Sequence, residues 1–211
     1  MLELARVRQE YMRAGVDEKD LLADPLAQFT RWFDDAVAAQ LTMPNAMSLA
    51  TVSPDNKPSV RLVLLKGVDH GGFVFYTNYA SHKGRDIAAN AHASLHFGWL
   101  PLERQIRIDG TLAKVSTAES DAYFDLRPLG SRHAAIASPQ SEVIISRAAL
   151  EQRFDDAVRT TGSAPARPAH WGGYRLTPVA IEFWQGRENR LHDRLRFSKE
   201  NQRWRIERLA P

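Results

Sequence analysis

The sequence predicts a mainly β fold, an antiparallel sheet with flanking helices. From Ala46 onward, long stretches alternate apolar and polar residues with period two, which is the strand period. Short turns of hairpin length, Pro54-Asp55-Asn56-Lys57 and Asp69-His70-Gly71-Gly72, separate the first of these runs. Helical spacing is confined to a few segments that carry recognisable caps, as at Asp24-Pro25 and Ser116-Thr117-Ala118-Glu119.

At 211 residues, 44% hydrophobic and 25% charged, the chain is expected to form one domain over 1–211 with a real core. The net charge of +3 is spread along the chain, which predicts local anion sites and no nucleic-acid partner. The absence of cysteine excludes disulfides, thiolate catalysis and thiolate metal ligation. No apolar run reaches signal-peptide or membrane-spanning character, so a soluble cytoplasmic protein with no membrane partner is expected.

In chain order, residues 2–14 suit a short, weakly amphipathic helix stopped at Gly15, part of a mobile arm over 1–20. Asp24 caps a helix over 25–40 that buries Leu26, Phe29, Trp32, Phe33, Ala36 and Val37. Strands at 46–53, 59–68 and 73–77 form a meander. Arg61 and Lys66 interrupt the apolar run of the second strand with opposite parity, marking two ends of one site or two solvent-facing positions. Ser81 then caps a helix whose free N–H groups, with Thr77, Lys83 and Arg85, form a phosphate cradle or an ordinary basic first turn. The spacing is not that of a Walker loop.

A strand at 93–100 sets His92, Ser94 and His96 on one face. Without a third ligand at useful spacing they read as structural histidines, and no metal is expected. A long strand at 103–115 carries Gln105, Arg107 and Asp109 on one parity. The capping box at Ser116 and Glu119 opens a helix that stops before Pro128, with Tyr123 and Arg127 one turn apart. Ser131 and Arg132 follow a Pro-Leu-Gly turn. A phenol, a guanidinium and a hydroxyl here suit a phosphate monoester, or cap the helix.

Ser146 caps a helix over 147–160 closed by Gly162, and an ordered connection at 163–173 leads to strands at 174–176 and 179–184. A hairpin follows, with strands at 195–197 and 204–206 around a turn at 199–202. In the stretch 181–194, Arg190, His192, Arg194 and Arg196 share one parity, and Trp184 lies just upstream. Same-face neighbours on a strand stand roughly 6–7 Å apart, so this row can grip a planar anion. A half-solvated strand shows the same pattern. Like charges on one face call for a negative partner, and Asp193 has the wrong parity to supply it.

The run Ile181-Glu182-Phe183-Trp184-Gln185, followed by Arg190-Leu191-His192-Asp193-Arg194, resembles the C-terminal signature of the pyridoxamine 5′-phosphate oxidase family. The likeness extends in order through Arg61-Leu62-Val63-Leu64-Leu65-Lys66, Phe75-Tyr76-Thr77-Asn78, Leu102-Glu103-Arg104-Gln105, Tyr123-Phe124 with Arg127-Pro128, Gln140-Ser141, Trp171-Gly172-Gly173 and Arg208-Leu209-Ala210-Pro211. It implies an FMN-binding split β-barrel, antiparallel with flanking helices, in a homodimer with FMN at the subunit interface. The implied reaction oxidises pyridoxamine or pyridoxine 5′-phosphate to pyridoxal 5′-phosphate, with dioxygen as acceptor and hydrogen peroxide released.

By matching position, the resemblance assigns Arg61, Leu62, Val63, Leu64, Leu65, Lys66, Tyr76, Thr77, His82, Lys83 and Gln105 to FMN from one subunit. Gln140, Ser141, Trp184 and Arg194 would complete the pocket from the other, with the strands of 174–211 closing the site. Lys66, Tyr123, Arg127 and Ser131 would hold the substrate phosphate, Arg190 and His192 would act on the pyridine ring as the catalytic pair, and Arg8 and Tyr11 would add a further contact. The sequence departs from the family at His82, where arginine is common, at Arg187 and Asn189, and over 132–137. Two alternatives stay open: a flavin oxidase of the same fold acting on another aromatic metabolite, and a non-catalytic protein that binds FMN or pyridoxal phosphate.

Overall fold

The computed structural model describes residues 15–211. Its helices are α1 (Pro25–Ala38), α2 (His82–Ala89), α3 (Thr117–Leu126), α4 (Leu129–Ala137) and α5 (Arg147–Thr161). Its strands are β1 (Ala46–Val52), β2 (Pro58–Leu64), β3 (Gly67–Asp69), β4 (Gly72–Asn78), β5 (His92–Trp99), β6 (Arg104–Lys114), β7 (Trp171–Gln185), β8 (Asp193–Glu200) and β9 (Arg203–Arg208). Hydrogen bonding orders them β2-β1-β5-β6-β7-β4-β3, with β8 joining β7 and β9. The β3–β4, β4–β7, β7–β8 and β8–β9 pairs are antiparallel. No described helix is long and apolar enough to cross a membrane.

The chain divides into two compact units. One comprises residues 15–49 of the described chain with Ser94–Gly110 and Pro178–Pro211; the other comprises Ala50–Ala93 and Thr111–Thr177. In the first, Asp24 accepts from Leu26 N–H and Pro25 opens α1, whose apolar stripe buries Phe29, Trp32 and Ala36. Phe29 meets Phe97 of β5 edge-on with centroids 5.1 Å apart, and Trp32 meets Phe183 of β7 at 5.2 Å. Val37, expected in the core, is exposed at the helix's far end. In the second unit Phe73, Phe75, Phe124, Tyr174 and Leu176 form the core.

Several expectations are corrected. The strand expected at 59–68 is two: β2 stops at Leu64, and the chain resumes as β3 at Gly67. They lie at opposite ends of the strand order, so the expected meander is split into two pairs, β1–β2 and β3–β4, and β4 pairs on its other side with β7. Period-two patterning fixes which side chains share a face but not which strand lies alongside.

The expected turn after Pro128 is instead α4, with Pro128 at its N-cap position and Ser131 in its first turn. Proline closes α3 and suits the start of the next helix equally. The strands expected at 174–176 and 179–184 are one strand, β7. Pro178 falls between its register with β4, which ends at Leu176, and its register with β8, which starts at Ala180, so the missing N–H costs neither ladder a bond.

The alternation read from Arg190 becomes a strand only at Asp193. Residues Glu188–Arg190 form a 3-10 turn in which Asn189 and Arg190 have φ of 55° and 60°. The final hairpin closes on Asn201 and Gln202, both at positive φ, a tighter turn than expected. Of the arm expected over 1–20, residues 1–14 lie outside the described part. Asp17 caps a 3-10 turn at Glu18–Asp20, and Glu18 pairs with Arg208.

Candidate active site

The second unit holds a cluster built on the start of α2. Ser81 caps the helix through Gly84 N–H and accepts from Lys83 Nζ at 3.2 Å. Lys83 Nζ also donates to Gln140 Oε1 at 2.9 Å, and Thr77 Oγ1 donates to the same oxygen at 3.3 Å. Arg61 reaches in from β2, donating to Thr51 Oγ1 at 2.7 Å and standing 3.8 Å from Asp86. His82, on the exposed side of α2, lies 3.5 Å from the other Asp86 oxygen.

Lys83 is buried, and both of its acceptors are neutral oxygens. Burial first and the Arg61 charge second push its pKa down to about 8. Two cations held together at a capped helix start fit a phosphate group.

In the same unit Tyr76, Tyr123 and Trp171 stack. The tyrosine rings are 3.9 Å apart and 14° from parallel, and Trp171 lies 5.7 Å from Tyr76 at 13°. Arg127, at the end of α3, lays its guanidinium 4.5 Å from the Trp171 ring centre, and Lys66 Nζ stands 6.0 Å from the Tyr123 ring. Arg127 Nη1 is buried without a hydrogen-bond partner among the described residues, as is Arg132 Nε. A buried guanidinium N–H with nothing to receive it calls for an acceptor that the described protein atoms do not provide. Ser131 lies four residues beyond Arg127, across the break at Pro128 and in the first turn of α4.

Within the first unit, Gln105, Trp184 and Arg194 line one cavity of about 220 Å³ together with His96, Arg107, Glu182 and Pro211. Arg194 makes a two-pronged pair with Glu182, Nε to Oε1 at 2.7 Å and Nη2 to Oε2 at 3.2 Å, and Arg107 reaches the same carboxylate at 3.1 Å. Glu182 raises the Arg194 pKa further. Arg196 pairs with Glu207 of β9 at 2.9 Å. The negative partners of the cationic row thus come from the neighbouring strands β7 and β9, beyond the reach of parity along β8. His96 Nε2 bonds Gln105 Oε1 at 3.2 Å.

His192 follows the 3-10 turn, its ring 4.5 Å from that of Trp184, and Arg190 is exposed in the single chain. The His192 pKa is lowered, by burial first and by Arg190 second.

The structure therefore gathers Arg61, Thr77, Lys83 and Gln140 in one cluster, Lys66, Tyr76, Tyr123 and Arg127 in another, and Gln105, Trp184 and Arg194 around a cavity. Gln140, expected from a partner subunit, lies beside Lys83 of its own chain. Leu62 is 72% exposed, Val63 and Leu64 are half-buried, Leu65 is buried, and Ser141 is exposed with a φ of 75°. Arg8 and Tyr11 lie outside the described residues. Sequence reasoning gave no role in the site to Trp171, Glu182 or Asp86; a buried acid in a motif rich in arginine was the available signal for Glu182.

A family profile described as pyridoxamine 5′-phosphate oxidase matches residues 33–160, and one described as the pyridoxine 5′-phosphate oxidase C-terminal dimerisation region matches 171–211. The chain is 56% identical over 214 residues to a pyridoxine/pyridoxamine 5′-phosphate oxidase of Burkholderia vietnamiensis, covering all of both chains. It is 54% identical over 212 residues to the protein of that name from Cupriavidus pinatubonensis, again over the full length of both.

Among solved structures, PhzG from Burkholderia lata, in complex with tetrahydrophenazine-1-carboxylic acid, superposes with a TM-score of 0.90 at 30% identity. The match covers 96% of this chain and 100% of that one. A pyridoxamine 5′-phosphate oxidase-related, FMN-binding protein of Nostoc punctiforme superposes at 0.72 with 19% identity, covering 90% and 100%. The fold is the split β-barrel expected from the sequence. With two profiles matching in chain order and relatives more than half identical from end to end, the chain belongs to the pyridoxamine 5′-phosphate oxidase family.

Proposed function

We propose that this protein is an FMN-dependent oxidase that converts pyridoxamine 5′-phosphate and pyridoxine 5′-phosphate to pyridoxal 5′-phosphate, working as a cytoplasmic homodimer. The observation that carries the reading is Arg127, whose buried Nη1 has no partner among the described residues at the edge of the Tyr76, Tyr123 and Trp171 stack, with Lys66 over the Tyr123 ring. A phosphate monoester supplies the missing acceptor and neutralises both cations.

FMN, when bound, would supply the two-electron acceptor, with dioxygen as the final oxidant and hydrogen peroxide as its product. Lys83, Arg61 and the capped start of α2 would hold its phosphate, Thr77 and Gln140 would contact the remainder, and the partner subunit's Trp184 and the partner subunit's Arg194 would complete the pocket. Lys66, Tyr123, Arg127 and Ser131 would hold the substrate phosphate, and Arg190 and His192 would orient its ring for oxidation. Loss of two electrons and two protons turns the substrate's alcohol into the aldehyde. For the amine, water then displaces ammonia.

The purified yellow protein should bleach when mixed anaerobically with pyridoxamine 5′-phosphate and recover its colour, with hydrogen peroxide, on admitting oxygen. An unchanged flavin band would mark a carrier without activity. The superposition with PhzG supports a second reading, a flavin oxidase of another aromatic metabolite. Bleaching by tetrahydrophenazine-1-carboxylic acid but not by pyridoxamine 5′-phosphate would favour it.

A further inference from the structure

One carboxylate holds the turn that carries Arg190 and His192. Asp193, the first residue of β8, accepts through Oδ2 from Val16 N–H at 3.1 Å and Arg187 Nη1 at 3.2 Å, and through Oδ1 from Arg208 Nη1 at 2.7 Å. Arg208 of β9 extends the network to Glu18 at 2.8 Å and Asp17 at 3.1 Å. Gly15 permits the close approach, since a Cβ there would stand 1.7 Å from Arg187 Nη1 and 2.5 Å from Asp193 Oδ2.

Arg187 is thereby fixed at its side chain, and its backbone N–H donates to His192 Nδ1 at 3.1 Å. An N–H donor leaves Nδ1 only the role of acceptor, so the neutral ring carries its proton on Nε2. Protonating Nδ1 would break that bond and set two N–H groups against each other. Burial of the ring and the charge of Arg190 also favour the neutral form, and Asp193 opposes them.

We propose that Asp193 is a positioning residue: by clamping Arg187 it holds His192 as the Nε2–H tautomer, so that His192 serves the reaction as a hydrogen-bond donor to an acceptor atom of the substrate ring and not as a proton acceptor. This assignment of roles rests on the oxidase reading above, whereas the clamp and the tautomer rest on the geometry alone.

The test is long-range proton–nitrogen correlation NMR on the FMN-loaded protein with ¹⁵N-labelled histidine, near neutral pH, with His192 identified by the signals missing in His192→Gln. The expected result is an unprotonated Nδ1 and a protonated Nε2. Asp193→Asn should mix the tautomers and lower kcat by ten- to a hundredfold, on the order expected for a misplaced group, with FMN content unchanged and partial recovery in Asp193→Glu. A His192 protonated at Nδ1, or on both nitrogens, would overturn the proposal, as would an Asp193→Asn variant that keeps both tautomer and kcat. If Asp193→Asn does not fold, the wild-type spectrum decides alone. The expected spectrum in a protein that fails to oxidise pyridoxamine 5′-phosphate would sink the oxidase reading and leave the clamp standing.

Discussion

Lys83 is where burial and charge can be read most directly as ligand binding. Its pKa of about 8, against an ordinary 10.5, means that the ligand-free fold disfavours the protonated amine. The unfolded chain then holds more protons between those values, so the ligand-free protein gains stability as pH rises through that window. A bound phosphate reverses the preference and draws a proton onto Lys83. FMN affinity should therefore weaken as pH rises above about 8, and Lys83→Arg, which keeps its proton, should flatten that dependence. Fluorescence titration of flavin across this range checks it; identical slopes in the two proteins would remove Lys83 from the phosphate site. Lys83 and Arg127 were legible in the sequence because capped helix starts and helical spacing are local features, and Arg61 because it interrupts an apolar strand run. Glu182 as the anchor of Arg194, and Asp193 as a clamp on Arg187 and Arg208, were not. Their partners lie on other strands, or on a turn whose positive φ values break the alternation, so parity along one strand could not reveal them.

Among the elements, α3 matters most to the site because it carries Tyr123 and ends at Arg127. Its start was visible in the sequence: Ser116 accepts from Glu119 N–H at 3.1 Å, and Glu119 Oε2 accepts from Ser116 N–H at 3.0 Å. Arg175 of β7 also grips Glu119 at 2.6 Å, and that hydrogen bond, with those from Ser116, holds the carboxyl pKa near 2. Such a depressed carboxylate contributes stability above its ordinary value of 4.5 and loses it as pH falls toward 2. Ser116→Ala should cost about 1 kcal/mol in urea denaturation at neutral pH; no measurable loss would mean that Arg175 alone fixes the helix start. Caps and amphipathic stripes made α1, α2, α3 and α5 legible. α4 and the unity of β7 were not, because Pro128 and Pro178 read as breaks until their hydrogen-bonding neighbours are known; nor was the division of β2 from β3, because an apolar run does not show where its pairing partner changes.

At the scale of the whole molecule, β2 ends the strand order while exposing Val60 at 65% and Leu62 at 72%, and Val143 and Ile145 are almost fully exposed. Apolar surface of this kind on an end strand calls for a cover, and the profile matching 171–211 describes a dimerisation region. If the homodimer proposed above buries β2, Leu62→Lys should shift sedimentation toward the monomer and lower the flavin content. A dimer with full flavin content would place the interface elsewhere. By itself the sequence determined the class of fold, most helix boundaries, the anion-seeking residue types and the family, because each depends on local periodicity or on residues in fixed order. Only the tertiary structure decided which strands pair, which carboxylates neutralise the arginine row, that Gln140 joins Lys83 within one chain, and that a buried Arg127 N–H has no acceptor among the described residues. Those outcomes depend on distances between residues far apart in the chain, which period and spacing leave undetermined.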